Sequence, residues 1–417
     1  MIRKKSYRPT AFERMQYFYS TAHEPLIHAR ISVSSPLDEQ TLVDAVSASI
    51  PYVPLLGCIF STRLQPRWRD CGFTGRNIVR IRTVSCEEAA KAIQVAMTAS
   101  ISIDSEPQMR ITLVRSCAED VLCVLVNHMV CDGAGLKQYI TLLASLYTRL
   151  SAGQPLPPAK PTIRSAKYLL SGLHPKRLCN VLLHSYTKLI QPETFHVPLA
   201  ENTQPPHIVT RQFPGESLNA IKRFARAQGV TINDVILTAY ARVLAHLTGE
   251  RQISLPCPVD LRKYLPNRNT LSISNLTVNY VISVTIDPES PFVETLRAVN
   301  QQITTQKRSD ECLKSVLLVG IIMHVIPFFL MKKNFSRAFT IPVVSYTNFG
   351  IMDEQGLLFG ESRVTDVFLT GAIKRAPYFQ LAVSTFGGAM TLSSDLFGSE
   401  HAVAEAKAIL EAIAVEM

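Results

Sequence analysis

Asn127-His128-Met129-Val130-Cys131-Asp132-Gly133 follows the apolar run Val121-Leu122-Cys123-Val124-Leu125-Val126. After it, Leu136, Ile140, Leu143, Tyr147 and Leu150 recur every three or four positions. An unbroken apolar run reads as a strand buried on both faces, and the three-to-four spacing reads as an amphipathic helix, which Gly153 is placed to stop. The stretch therefore sets a histidine between a strand end and a helix entrance. Imidazole is the side chain whose ordinary pKa lies nearest neutrality, so His128 is the candidate to take a proton from a hydroxyl or an amine. Asp132 is expected to pin the turn by pairing with a cation. Gly133 is expected to let the backbone turn where a Cβ would collide.

Outward from this stretch, a preceding strand is expected near 109–115, with Glu119-Asp120 turning into the next. Further strands are expected near 26–34, 55–62 and 77–84, with helices over 38–50 and 86–99. Pro155, Pro157, Pro158 and Pro161 forbid a continuous helix and mark the end of a first unit. A basic helical connector should reach about 190, followed by a second Pro-rich stretch from Pro198 to Pro206. The later half opens with a strand over 207–213 and a helix from Leu218 to Gln228. Thr231 and Asp234 form a capping box for a helix ending at Gly249, and a strand over 253–259 runs into Asp260-Leu261-Arg262.

The first stretch resembles the His-His-x-x-x-Asp-Gly signature of the CoA-dependent acyltransferase superfamily, with Asn127 where the first histidine stands. That superfamily includes condensation domains of nonribosomal peptide synthetases, alcohol acetyltransferases, BAHD enzymes and polyketide-associated acyltransferases. Pro342-Val343-Val344-Ser345-Tyr346-Thr347-Asn348-Phe349-Gly350, followed by Leu358-Phe359-Gly360 and Val364-Thr365-Asp366, resembles the Ser-Asn-x-Gly strand of stand-alone condensation-like and alcohol acetyltransferase proteins. The Asp-Phe-Gly-Trp-Gly sequence of the plant-type BAHD branch is absent.

The resemblance implies an α/β protein of two chloramphenicol-acetyltransferase-like domains forming a pseudo-dimer. Each would be a mixed sheet flanked by helices, with the active-site channel between them. The expected division is 1–162 and 207–417, joined by a connector over 163–206. It further implies acyl transfer from a CoA or phosphopantetheinyl carrier-protein thioester to an alcohol or amine by direct attack, with His128 as general base and no permanently bound cofactor. Asp132 is assigned to structure, paired with Arg262. Main-chain N–H groups near Gly133, or Ser345, Thr347 and Asn348, are candidates to hold the oxyanion; the alternative for these three is that Ser and Asn cap their own strand end.

Composition fits such an enzyme. In 417 residues, 47% are hydrophobic and 18% charged, which favours large buried cores over disorder. The net charge of +10 is dispersed in short clusters such as Arg3-Lys4-Lys5 and Lys332-Lys333, without a nucleic-acid signature. It suits the phosphates of CoA or an acidic carrier protein, or is simply a solvated surface. Nine scattered cysteines read as reduced, cytoplasmic and metal-free, and no secretory signal is read at the N-terminus. The apolar segment Val316 to Met331 is shorter than the roughly 20 residues needed to span a bilayer and contains His324 and Pro327. It reads as a buried or interface helix, with a membrane-surface helix as the alternative. Two rival functions follow: a catalytically impaired condensation-like protein that binds a carrier or scaffolds an assembly line, suggested by Asn127, and a membrane-surface lipid-binding protein.

Overall fold

A computed structural model describes residues 5–20, 23–63, 65–165, 169, 205–267, 270–309, 311–338 and 341–417. Most of the expected connector, and all but the end of the second Pro-rich stretch, lie outside these residues. The apolar run forms β7 (Asp120–Asn127), every residue of which is buried. It pairs antiparallel with β2 (Leu26–Val33) on one side and β6 (Met109–Arg115) on the other. β5 (Val79–Thr83) adds parallel to β6. The other edge is completed from the far end of the chain, because β13 (Ser362–Thr370) pairs antiparallel with β2 and β12 (Leu358–Phe359) pairs with β13. The six-stranded order is thus β12-β13-β2-β7-β6-β5.

Helices Glu39–Ser49 and Gly133–Ser151 cover one face of this sheet and bury Leu42, Val46, Leu136, Ile140 and Leu143 in its core. The expected strand over 55–62 begins instead with a 3-10 turn, Pro54–Gly57, before β3 (Cys58–Ser61). That over 77–84 is preceded by one helical turn, Gly75–Ile78. The first turn agrees with the resemblance of Pro54-Leu55-Leu56-Gly57 to a turn into a strand; the second is one that an apolar pattern does not register.

The second half builds a four-stranded sheet in the order β11-β14-β15-β8, from β8 (Pro206–Phe213), β11 (Val344–Ile351), β14 (Phe379–Phe386) and β15 (Ala389–Phe397). A separate antiparallel pair joins β9 (Gln252–Asp260) to β10 (Thr277–Thr285). Helix Ile232–Thr248 starts at the Thr231/Asp234 capping box and ends at Gly249, whose φ of 73° is left-handed. The fold is therefore a mixed α/β one, with two sheet-based halves and a cavity between them.

Two expectations need correction. Cys86, which opens helix Cys86–Met97, is joined in a disulfide to Cys117 in the β6–β7 turn, with Cα atoms 5.6 Å apart. Their separation of 31 residues carries no recognisable spacing, so tertiary packing alone brings them together. The apolar segment is two helices, Glu311–Val325 and Phe328–Ala338, broken before Pro327 and bent by 119°. Proline lacks the N–H that would continue the helix. No single described helix is long and apolar enough to cross a membrane.

Because β13 is both the product of the second half and an inner strand of the first half's sheet, its buried Leu369 should serve both. Leu369→Ala is expected to cost about 2–5 kcal/mol in denaturant titration. A loss under about 0.5 kcal/mol, the range of ordinary surface substitutions, would show that β13 contributes little to that core.

Candidate active site

Where β7 ends, the chain passes through Asn127 and His128 and enters helix Gly133–Ser151, for which Asp132 is the N-cap. Asp132 is buried and accepts five hydrogen bonds: from Gly135 N at 2.8 Å, Arg262 at 2.8 and 3.0 Å, Leu276 N at 2.8 Å and the Thr277 hydroxyl at 2.8 Å. Arg262 lies in the 3-10 turn after β9, and it also donates to the Ser272 and Ser274 carbonyls and to Asp260. The pair spans the two halves of the chain. Burial pushes the Asp132 carboxyl up, but the Arg262 guanidinium and the donated hydrogen bonds outweigh it and hold the group below its ordinary value.

The same segment that receives Asp132 holds His128. Asn275 Nδ2 donates to the His128 carbonyl at 2.9 Å and lies 3.1 Å from Nδ1. His128 N donates to Pro25 O at 2.8 Å. Burial draws the imidazole pKa below 6.5, assisted by the charge of Lys374 and opposed by hydrogen bonds to the carbonyls of His128 and Cys131 and by the charge of Asp132. The ring is thus neutral at physiological pH, the form a proton acceptor needs.

Asn127 is buried and faces away from the cavity. Its Nδ2 donates to Gln108 Oε1 at 2.9 Å, and its Oδ1 accepts from Met129 N at 2.9 Å, so it shapes the turn that presents His128. Gly133 has no left-handed φ; its need is steric. A methyl group there would stand 2.4 Å from Phe349 Cδ1, so the helix entrance and β11 come together only over glycine.

His128, Asp132, Gly133, Ser345, Thr347 and Asn348 all border one cavity of about 1010 Å³ between the halves; Asn127 and Arg262 stand behind its wall. The three residues on β11 differ in what they can offer. Ser345 Oγ donates to Phe379 O at 3.4 Å, while Asn348 Nδ2 is used by Asn233 and the Tyr346 hydroxyl and its Oδ1 accepts from Gly350 N. Thr347 alone of the three has no partner among the described residues. The first N–H groups of the helix at Gly133 and Ala134, which also border the cavity, lack main-chain acceptors as helix N-termini do.

Sequence reading missed Asn275, His23 and Lys374. Asn275 sits in a loop whose pattern carries no signal, and His23 and Lys374 are brought to the cavity by isolated bridges outside the main strands.

No family model matches the chain. Among curated proteins it is 26% identical over 251 residues to the nonribosomal peptide synthetase kk1B of Curvularia clavata, covering 54% of this chain and 2% of that protein. It is 27% identical over 172 residues to malpinin synthetase of Mortierella alpina, covering 38% and 2%. The chain therefore spans only a small fraction of the length of the curated relatives it matches. Among solved structures, the first condensation domain of the calcium-dependent antibiotic synthetase, in complex with a substrate analogue, aligns with a TM-score of 0.74 at 14% identity over 99% of this chain and 95% of that one. The condensation domain of the monacolin K polyketide synthase aligns at 0.69 and 15%, over 99% and 97%. Polyketide synthase associated protein 5 from Mycobacterium tuberculosis aligns at 0.69 and 16%, over 99% and 98%. The fold is that of condensation domains, the CoA-dependent acyltransferase fold.

Removing either charge of the Asp132–Arg262 pair is expected to destabilise the protein by about 3–5 kcal/mol, since the partner is left buried and unpaired. A double replacement by uncharged residues should cost less than the sum, read by denaturant titration of all four forms. The folded-state pKa of Asp132 is depressed, so its stabilising contribution is present above the ordinary carboxylate pKa and is lost as pH falls through the folded value. Strictly additive losses would mean that the two charges do not support one another. Separately, Asn127→Ala should cost about 1–3 kcal/mol, because it leaves Met129 N–H and Gln108 Oε1 buried without partners.

Proposed function

We propose that this chain transfers an acyl group from a thioester to an alcohol or amine, with His128 as general base and no acyl-enzyme intermediate. The observation that carries the reading is the placement of His128 on the cavity wall as a neutral ring, held from behind by Asn275 and by the Asp132–Arg262 junction. In the tautomer with its proton on Nδ1, directed at the carbonyls of His128 and Cys131, Asn275 holds the residue through the His128 carbonyl and the other nitrogen, Nε2, is free to accept a proton. The acceptor O–H or N–H gives its proton to Nε2 as its heteroatom bonds to the thioester carbonyl carbon. The tetrahedral oxyanion is then met by the N–H groups of Gly133 and Ala134 or by the Thr347 hydroxyl, each such donor commonly worth about 3 kcal/mol of barrier. Collapse breaks the C–S bond, and the leaving thiolate takes the proton back from the imidazolium.

Asn127 does not border the cavity, which supports reading the missing first histidine as a change in buried support and not in chemistry. The donor, CoA or a phosphopantetheinyl carrier, is a substrate that departs after each turnover. Exposed Lys263 and Lys307 on the cavity border, with half-buried Lys137, suit its phosphate groups. The domain division at 1–162, 163–206 and 207–417, and a cytoplasmic location, belong to the same proposal.

A peripheral membrane contact is a second reading that one observation favours. Ile321, Val325 and Phe329 are 57%, 71% and 70% exposed, beside exposed Lys332 and Lys333. Apolar side chains rimmed by lysines suit an anionic bilayer surface. Flotation with anionic vesicles tests it: the native chain should float, and Val325→Glu with Phe329→Glu should remain at the bottom.

The principal test is turnover of an acyl thioester with small amines and alcohols. His128→Ala is expected to lower it by about two to four powers of ten with the fold retained in circular dichroism. The acid limb of the native rate profile should lie below pH 6.5, because the lowered pKa keeps the base neutral to more acid pH. Unchanged turnover in His128→Ala would remove the assignment. Raising salt to physiological strength, where screening falls to roughly 8 Å, should weaken capture of a phosphorylated donor more than that of a neutral acceptor.

A further inference from the structure

We propose that Lys374 is an anion-recognition residue inside the reaction cavity, and that one of the two substrates brought to His128 carries a carboxylate. The inference deepens the acyl-transfer reading and rests on it for the identity of the reaction.

Main-chain ties hold Lys374 close to His128. Lys374 N donates to Asp395 O at 2.8 Å, and its carbonyl accepts from Phe397 N at 2.9 Å, which fixes the residue on the edge of the second sheet. On the other side it bridges His23, and Glu24 N donates to Ile373 O at 3.0 Å. The adjacent Pro25 carbonyl accepts from His128 N at 2.8 Å, so three short steps of backbone connect the lysine to the candidate base. All three side chains, His23, His128 and Lys374, border the same cavity.

Several buried carboxylates in this fold have a guanidinium partner. Asp132 has Arg262, Glu13 has Arg164 and Asp120 has Arg115. Half-buried Lys374 differs from these: its ammonium makes no hydrogen bond or ion pair with any described residue. The nearby carboxylate is Asp395, whose Oδ2 accepts from the Thr370 hydroxyl at 2.5 Å and whose burial raises its pKa to about 7, leaving it partly protonated at neutral pH. Burial lowers the Lys374 amine to about 8, opposed by the charge of Asp395, so it is still cationic at neutral pH. Burial, with a smaller contribution from the Lys374 charge, depresses both His23 and His128, which stay neutral and offer no competing cation. Tyr378 and Gln380 border the cavity on the same edge and supply hydrogen-bond donors for the second oxygen of a carboxylate. An ammonium with no direct carboxylate contact of its own is completed by an anion of the substrate, through a charge-assisted hydrogen bond.

The carboxylate has two possible sources, the acyl chain of the donor or the acceptor molecule, and paired substrates distinguish them. One pair is succinyl- and butyryl-N-acetylcysteamine with a neutral amine; the other is leucine and leucinamide with the butyryl donor. The native protein is expected to favour the carboxylate-bearing member of one pair by about tenfold or more in kcat/KM, the scale of one charge-assisted bond. Lys374→Gln should reduce that ratio to near unity, whereas Lys374→Arg should keep most of it. A ratio near unity in both pairs, or one that survives Lys374→Gln, overturns the proposal while leaving acyl transfer intact. If no pair turns over, acyl transfer is what fails, and calorimetry with the same compounds then decides on Lys374. Binding of a carboxylate compound about tenfold weaker in Lys374→Gln supports the anion site, and equal binding refutes it.

Discussion

A buried carboxylate cannot be left without a partner, and in this protein the partner of Asp132 arrives from the other half of the chain. The guanidinium of Arg262 takes both carboxylate oxygens in a fork, and the Leu276 N–H and Thr277 hydroxyl complete the shell. Desolvating two charges is costly, and the compensation comes from saturating every donor and acceptor around them. That saturation needs residues 272–277 laid against the turn at 128–132. Asn275 then meets His128 as a consequence of the same docking. The candidate base is thus oriented by a junction whose own chemistry is electrostatic.

The cavity itself is a place of incomplete electrostatics. His128 and His23 are both kept neutral by burial, while lysines line the wall and few carboxylates answer them. A neutral imidazole can abstract a proton without first losing one, and positive walls concentrate anionic reactants. The turn at Asn127 contributes differently: its amide is spent on Gln108 and Met129, so it stiffens the approach to His128 without touching anything that enters.

Much of this was readable in the residues, for identifiable reasons. The run Val121 to Val126 is apolar without interruption, so its burial on both faces followed, and the spacing of Leu136 to Leu150 left only a helix. The Thr231/Asp234 box and Gly249 bracketed another helix by local hydrogen bonding alone. What could not be read depends on residues far apart in sequence. Gly133 was expected where a Cβ would collide, but the group it would meet, Phe349, lies 216 positions later and could not be named from the turn. Asn275 and Lys374 lie in segments without periodicity, and their roles arise only after the sheets are placed. Ser345, Thr347 and Asn348 looked alike as polar residues on a strand; which hydroxyl or amide is left uncommitted was decided by Phe379, Asn233 and Gly350. The disulfide between Cys86 and Cys117 and the break before Pro327 belong with these: one is set by packing, and the other is a local rule whose position an all-apolar stretch concealed.

The return of β13 to the edge of β2 also governs the order in which the molecule is built. A ribosome delivers residues 26–127 long before residue 362, so during synthesis the strand Leu26–Val33 has β7 on one side and an open edge on the other. An uncovered edge of a buried-type strand is a template for pairing with another chain. Closing it requires a contact over more than three hundred residues of intervening chain, the kind of non-local pairing that forms slowly. The first half must therefore wait, partly assembled, for the last quarter of the chain, and its exposure to misassembly is set by translation time more than by its own stability.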